Sequence, residues 1–291
     1  MLIRGTTRLL GVLGNPLAHS YSPAMHNAAI EKMGLDLVYV PLKVETSGIE
    51  ACLKAIRETG FLGANVTIPH KQAVIPYLDS ISDLSRNMGA VNTLVPESGV
   101  RLHGTTTDPE GFLAGFREAG HSFDGKSVAV FGNGGSARTI AFALLLMAKP
   151  RRVTLVARDG AKSQSLIQEL QSKILIDHRR CDLGALALRD YASARQEFDV
   201  LVNTTPVGMY PNVQESILPA EWLEADQVVY DIVYNPEETA LLRDAKTRGC
   251  RTVGGLGMLV HQGVASFKLW TGLDPDPAFF YEGIRRQRAS A

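Results

Sequence analysis

The short apolar run VAVF, Val128 to Phe131, leads directly into Gly132-x-Gly134-x-x-Ala137, and a helical pattern, SARTIAFALLLMA, follows at once. Strand, glycine turn and helix in that order restrict this stretch to the start of a βαβ unit on a parallel sheet. Gly132 allows the tight turn, Gly134 lets backbone amides approach a pyrophosphate, and Ala137 permits close packing of helix on strand. The helix N-terminus favours negative charge. With Gly135 and Ser136 completing the loop, these residues are expected to bind a dinucleotide; the competing reading is an ordinary glycine-rich turn.

NAD-specific folds usually place an acid at the end of the second strand, hydrogen-bonded to the ribose hydroxyls. Here TLVARDGAK offers Arg158 first. If a helix begins between them, Arg158 and Lys162 can clamp a 2′-phosphate, which points to NADP. Asp159 keeps a ribose contact open, and a solvated helix start is the plainer alternative for the pair.

Short β-rich runs alternate with helical patterns from the N-terminus onward: LLGVLG, SPAMHNAAIEKMG, LVYVPLKV, IEACLKAIRETG and LGANVTI. Such alternation predicts βαβ units on a mostly parallel sheet, and the series beginning near DGKSVAVFGNGG is a second such unit. At 291 residues the chain is long enough for two domains. The expected class is therefore α/β: an N-terminal open α/β domain and a doubly wound Rossmann-type domain. The turn-rich HGTTTDPEG is the expected join. Ser22 before Pro23 predicts an N-cap with proline at the first helical position, so the loop NPLAHSYS lies at a strand's carboxyl end, where open α/β sheets bind ligands.

Thirty basic residues balance thirty acidic ones, so no global field attracts a polyanion, and nucleic acid is not an expected partner. The three cysteines lack the spacing of a disulfide framework or a metal site and are read as reduced packing residues; no metal is expected. The N-terminal residues lack a signal-peptide pattern, and the longest apolar stretch, AFALLLMA, is far short of the roughly 20 residues of a membrane span. A soluble cytoplasmic protein is expected.

Polar residues gather at the predicted strand ends: Ser20 and Ser22 in HSYSP, Asn65, Thr67 and Lys71 in NVTIPHK, Asn92 in GAVNTL, Asp108 in TTTDPEG. Such a set suits a small neutral-to-anionic polyol, although each residue alone also reads as a cap, a turn or a solvated side chain. In order and together with VFGNGGSAR, VNTTPVGM, DIVYNP and GGLGMLVHQGVASFKLWTG, these segments resemble the shikimate dehydrogenase family over nearly the whole chain. The resemblance implies NADP-dependent, reversible reduction of 3-dehydroshikimate to shikimate. It further implies a substrate-binding catalytic domain at 1–108, an NADP-binding Rossmann domain at 109–254, and a C-terminal segment, 255–291, that returns to the first domain.

Carried over by motif, Lys71 and Asp108 match the family's catalytic pair, and Ser20, Ser22, Thr67, Asn92 and Gln262 its substrate contacts. Tyr234 matches a tyrosine near the substrate carboxylate. Thr204, Gly255 and Met258 join the glycine loop on the cofactor side, while Tyr210 and His261 read as packing residues. The chain departs from the usual pattern at Thr106-Thr107-Asp108-Pro109 and at Ala157-Arg158-Asp159. Hydride transfer to a ketone leaves negative charge on oxygen, which a positioned ammonium can stabilise and protonate. Pro69 is expected to end the strand so that Lys71 projects from its carboxyl edge, with Asp108 holding the amine. Alternatives are a quinate/shikimate dehydrogenase with relaxed substrate or NAD use, and a non-catalytic dinucleotide-binding regulator. Monomer and homodimer both remain open.

Overall fold

The structure, a computed structural model, describes residues 2–98, 100–158, 160–173 and 181–290. The chain divides into two compact units, Met1–Asp108 with Val260–Ala291, and Pro109–Leu259.

The first unit contains β1 (Arg8–Gly14), α1 (Ser22–Lys32), β2 (Leu37–Lys43), α2 (Ile49–Glu58), β3 (Phe61–Val66), β4 (Ser80–Ile81), α3 (Asp83–Met88), β5 (Thr93–Pro96) and β6 (Leu102–Thr105). Its sheet runs β2-β1-β3-β5-β6-β4. The βαβ pattern read from the sequence accounts for β1, β2 and β3, which are parallel, whereas β5 is antiparallel to both β3 and β6. Helix α2 shows why these residues fold as they do: Ile49, Leu53 and Ile56 recur at helical spacing and are all buried, packing with Phe61, Val66 and Leu94.

The second unit begins inside α4 (Asp108–Glu118). It then has β7 (Ser127–Phe131), α5 (Gly135–Met147), β8 (Arg152–Ala157), α6 (Gly160–Lys173), β9 (Asp182–Ala187), α7 (Tyr191–Ala194), β10 (Val200–Asn203), β11 (Val228–Asp231), α8 (Ala240–Thr247) and β12 (Arg251–Val253). Its sheet runs β12-β11-β10-β7-β8-β9, parallel throughout. That is the doubly wound order in which the topology switches between the first and fourth strands, here β7 and β10. All five residues of β7 are buried, as a strand covered on both faces requires.

The chain re-enters the first unit within α9 (Leu256–Thr271) and ends with α10 (Pro277–Ala289). Trp270 of α9 lies so close to β3 that a Cβ on Gly63 would stand 2.1 Å from its indole ring, and its Nε1 donates to Leu94 O at 2.9 Å. Beside it His26 of α1 stacks on Tyr39 with ring centroids 4.2 Å apart, and meets Phe280 edge-on at 5.2 Å. His26 is fully buried, and neither ring nitrogen has a hydrogen-bond partner. Burial alone pushes its pKa down to about 3.

Three local expectations are corrected. Ser22 is the first residue of α1 and not its N-cap; Tyr21 occupies the cap position, and Ser20 Oγ accepts from Ser22 N at 3.3 Å. The oxygen that meets the first helical N–H comes from two residues upstream. Strand β3 ends at Val66, three residues ahead of Pro69, although backbone bonds to the β1 side continue from Thr67 N to Leu13 O and from Asn15 N to Ile68 O. Tyr210 is 59% exposed and does not belong to the core. Among the described residues no helix is long and apolar enough to cross a membrane. Cys181 and Cys250 are buried and Cys52 is half-buried, all as free thiols.

Candidate active site

Three loops of the first unit meet at one sheet edge. The segment after β3 carries Lys71 and the segment after β6 carries Asp108, the first residue of α4; Asn92 stands just before β5. Because β5 runs antiparallel to β3 and β6, its start lies level with their ends, with Thr93 opposite both Asn65 and Thr105. The backbone fastens the three together: Val91 N donates to Lys71 O at 2.8 Å, and Asn92 N to Thr105 O at 3.0 Å.

Lys71 Nζ lies 2.6 Å from Asp108 Oδ2, with 32% of the lysine side chain and 11% of the aspartate exposed. The other aspartate oxygen, Oδ1, accepts from Asn92 Nδ2 at 2.8 Å. Asn92 also donates to Thr107 Oγ1 at 3.0 Å and lies 3.4 Å from Gln262 Oε1. Its own Oδ1 accepts from Thr107 N at 2.9 Å and Thr93 Oγ1 at 2.7 Å. A backbone N–H can only donate, so the orientation of this amide is fixed, and its nitrogen must face the carboxylate. An ammonium and a carboxylate held in this way, partly open to solvent, can pass a proton to or from a bound hydroxyl or carbonyl.

Of the other residues singled out in this unit, Ser20 is half-buried and Ser22 is 8% exposed, both after β1. Thr67 is half-buried, its N–H bound to Leu13 O at 2.8 Å. Gln262 is on α9. Sequence reasoning did not single out Thr93 or Ser266 for the site. Thr93 adjoins Asn92, and Ser266 follows Gln262 by one helical turn, so adjacency on the same face was the available signal.

In the second unit, Gly132 closes β7 with a φ of +120°, where a Cβ would press within 2.7 Å of Thr204 Oγ1. Thr204 itself donates to Phe131 O at 2.6 Å, so its hydroxyl braces this turn. Gly134 is the N-cap of α5 and supplies no side-chain cap, which leaves N–H groups of the first turn for an incoming acceptor. Around Gly134 and Gly135 a Cβ would meet nothing within 4 Å, and both glycines and Ser136 are exposed, whereas Ala137 is buried. Open backbone at the N-terminus of a thirteen-residue helix, beside the β7/β10 switch, fits a pyrophosphate. Arg158 is exposed directly after β8, and Lys162 is exposed in the first turn of α6, so the helix begins between them. Asp159 lies outside the described residues. Gly255 precedes α9, its N–H donating to Val233 O at 3.3 Å; Met258 is half-buried in the first turn of that helix, and Tyr234 is half-buried after β11.

A doubly wound dinucleotide fold joined to an α/β unit bearing a lysine–aspartate pair defines a class, the two-domain dinucleotide-dependent oxidoreductases. Within it, residues 12–94 match the model of the shikimate dehydrogenase substrate binding domain, and residues 255–282 that of the shikimate 5′-dehydrogenase C-terminal domain. A protein of Moorella thermoacetica named shikimate dehydrogenase (NADP(+)) is 43% identical over 97% of this chain and 94% of its own. The chain belongs to the shikimate dehydrogenase family. Among solved structures, a shikimate dehydrogenase in complex with NADP+ superposes with a TM-score of 0.89 at 36% identity, covering 98% of this chain and 97% of its own. The quinate dehydrogenase of Corynebacterium glutamicum in complex with NAD gives a TM-score of 0.87 at 33% identity, over 96% of this chain and 99% of its own.

Proposed function

We propose that this protein is an NADP-dependent shikimate dehydrogenase that interconverts 3-dehydroshikimate and shikimate. The observation that carries the reading is the Lys71–Asp108 pair, 2.6 Å apart and steadied by Asn92, in a chain of this family. Bound nicotinamide supplies or accepts the hydride. Lys71 then donates a proton to the oxygen that gains charge in reduction and takes it back in oxidation, while Asp108 holds the amine in line. Help of this kind is typically worth about 100- to 10,000-fold. Asn92 and Gln262 face the substrate hydroxyls, and Ser20, Ser22 and Tyr234 receive its carboxylate, with Thr67 beside them. The Gly132–Ala137 turn cradles the pyrophosphate, and Arg158 with Lys162 favours the 2′-phosphate of NADP.

In this reading residues 1–108 form the substrate-binding part, 109–254 the NADP-binding part, and 255–291 complete the first. A cytoplasmic enzyme acting as monomer or homodimer, without nucleic-acid partners, belongs to the same reading. The similarity to a quinate dehydrogenase makes substrate choice the point to test. Steady-state rates with shikimate and quinate, each with NADP and NAD, are expected to be highest for shikimate with NADP. A higher kcat/KM for quinate, or for NAD, would overturn the assignment in that respect.

A further inference from the structure

A run of buried hydrogen bonds leads through the interior of the first unit from Tyr39 to the lysine–aspartate pair. Tyr39 Oη donates to Asn65 Oδ1 at 2.7 Å, and Asn65 Nδ2 donates to Ser266 Oγ at 3.0 Å. Ser266 Oγ lies 2.8 Å from Thr93 Oγ1, which donates to Asn92 Oδ1 at 2.7 Å; Asn92 Nδ2 completes the run to Asp108. Tyr39 is 1% exposed, Asn65 6%, Asn92 2%, and both Ser266 and Thr93 are fully buried, so no water competes for these groups.

Counting hydrogens fixes the direction. Asn92 Oδ1 must be the oxygen, since Thr107 N faces it, so the nearby Thr93 hydroxyl has to donate there. A hydroxyl has one hydrogen; once Thr93 has spent it on Asn92, it can only accept from Ser266. Ser266 in turn accepts from Asn65, and Asn65 Oδ1 accepts from Tyr39. Gln262 O stands 3.0 Å from both Thr107 Oγ1 and Ser266 Oγ; with Thr107 donating there, the Ser266 hydrogen is left for Thr93, whose own is spent on Asn92. Each group therefore donates toward Asp108 and accepts from the side of Tyr39. A mixed run, in which two hydroxyls both donate or both accept across one contact, is ruled out at its Asp108 end by the backbone amide of Thr107.

We infer that Thr93 and Ser266 are positioning residues, whose hydroxyls hold the Asn92 amide so that its nitrogen serves Asp108 while Lys71 serves the other carboxylate oxygen. The inference rests on the proposed function for the meaning of Asp108 and goes beyond it in assigning two residues that touch neither substrate nor cofactor. Their pattern, threonine beside Asn92 and serine one turn beyond Gln262, is the sequence trace of the device.

The test uses the full-length protein with Thr93→Val, which keeps the shape and removes the hydroxyl, and Thr93→Ser, which keeps the hydroxyl. Turnover of shikimate is counted per molecule able to bind NADPH, which sets aside misfolded protein. Thr93→Val is expected to lower kcat about tenfold, the cost of one lost buried hydrogen bond, and Thr93→Ser to restore it to within about twofold. Full turnover in Thr93→Val, or equal loss in both variants, would overturn the inference, the second because packing of the methyl group would then be the cause. A wild type inert toward shikimate would count against the proposed function alone. In that event urea unfolding decides: Thr93→Val and Ser266→Ala act on one run and should be non-additive, whereas independent shifts in the unfolding constant would refute the link.

Discussion

Mild acid should loosen the first unit through His26. Its folded pKa of about 3 lies below the 6.5 of an unfolded histidine, so between those values the unfolded chain binds a proton that the folded chain refuses. Stability contributed by the neutral ring is therefore complete above pH 6.5, declines as pH falls below it, and is gone near pH 3. At about 1.4 kcal/mol per pH unit, lowering the pH from 7 to 5 removes about 2 kcal/mol. In the second unit Asp231 acts in the opposite sense: burial pushes its pKa up to about 6, against the hydrogen bonds from Thr239, Val233 N and Asn203, so the folded state holds a proton between pH 6 and 3.8 that the unfolded state lacks. That unit gains stability as pH falls through the same window, about 1 kcal/mol by pH 5. The two tryptophans, Trp270 in the first unit and Trp222 in the second, allow the effects to be separated. In a Trp222→Phe background, urea unfolding followed by Trp270 emission should show the loss between pH 7 and 5, and His26→Phe should cut that pH dependence by about 2 kcal/mol. An unaltered pH dependence in His26→Phe would refute the reasoning.

Lys71→Ala is expected to reduce kcat by about 100- to 10,000-fold with little change in shikimate affinity, measured by steady-state rates and calorimetry; an unchanged turnover number would remove Lys71 from the chemistry. Arg158→Ala should raise the Michaelis constant for NADPH much more than for NADH, since a lost clamp affects only the cofactor that carries the 2′-phosphate. Equal effects on both would cancel that assignment.

Local periodicity and turn chemistry made much of this structure legible. The VAVFGNGGSA stretch became β7, an open glycine turn and α5, and the motifs around Lys71, Asn92 and Asp108 converged on one sheet edge. What stayed hidden depends on contacts remote in sequence. Nothing local in PAMHNAA says that His26 will be stacked on Tyr39, because the second ring comes from β2 and the enclosing ones from α9 and α10. Ser22 was misread as a cap because a serine before proline has that preference, and only the backbone path shows that Ser20 supplies the oxygen. The hydroxyl run escaped notice for the same reason: Asn65, Thr93 and Ser266 lie on three elements that only sheet pairing and the returning helix bring together. Tyr210 was read as a packing residue, yet aromatic side chains are often left at the surface when no sheet or helix face covers them.

The reversal of β5 explains why the polar residues form one site. In a wholly parallel sheet the residue preceding a strand lies at the edge opposite to the residue following its neighbour. For a strand of four residues the two edges are about 13 Å apart at a rise of 3.3 Å per residue. Asn92 precedes its strand, whereas Lys71 and Asp108 follow theirs, so a parallel β5 would leave the amide too far away to touch Asp108. Running antiparallel, β5 starts where β3 and β6 finish, and Asn92 reaches Asp108 at 2.8 Å. The same reversal places the Thr93 side chain beside Asn65 and against Ser266 of α9, so the strand direction that assembles the pair also builds the hydrogen-bonded support behind it. Strand polarity, which no residue in GAVNTL encodes by itself, is thus what converts three separate loops into one polar cluster.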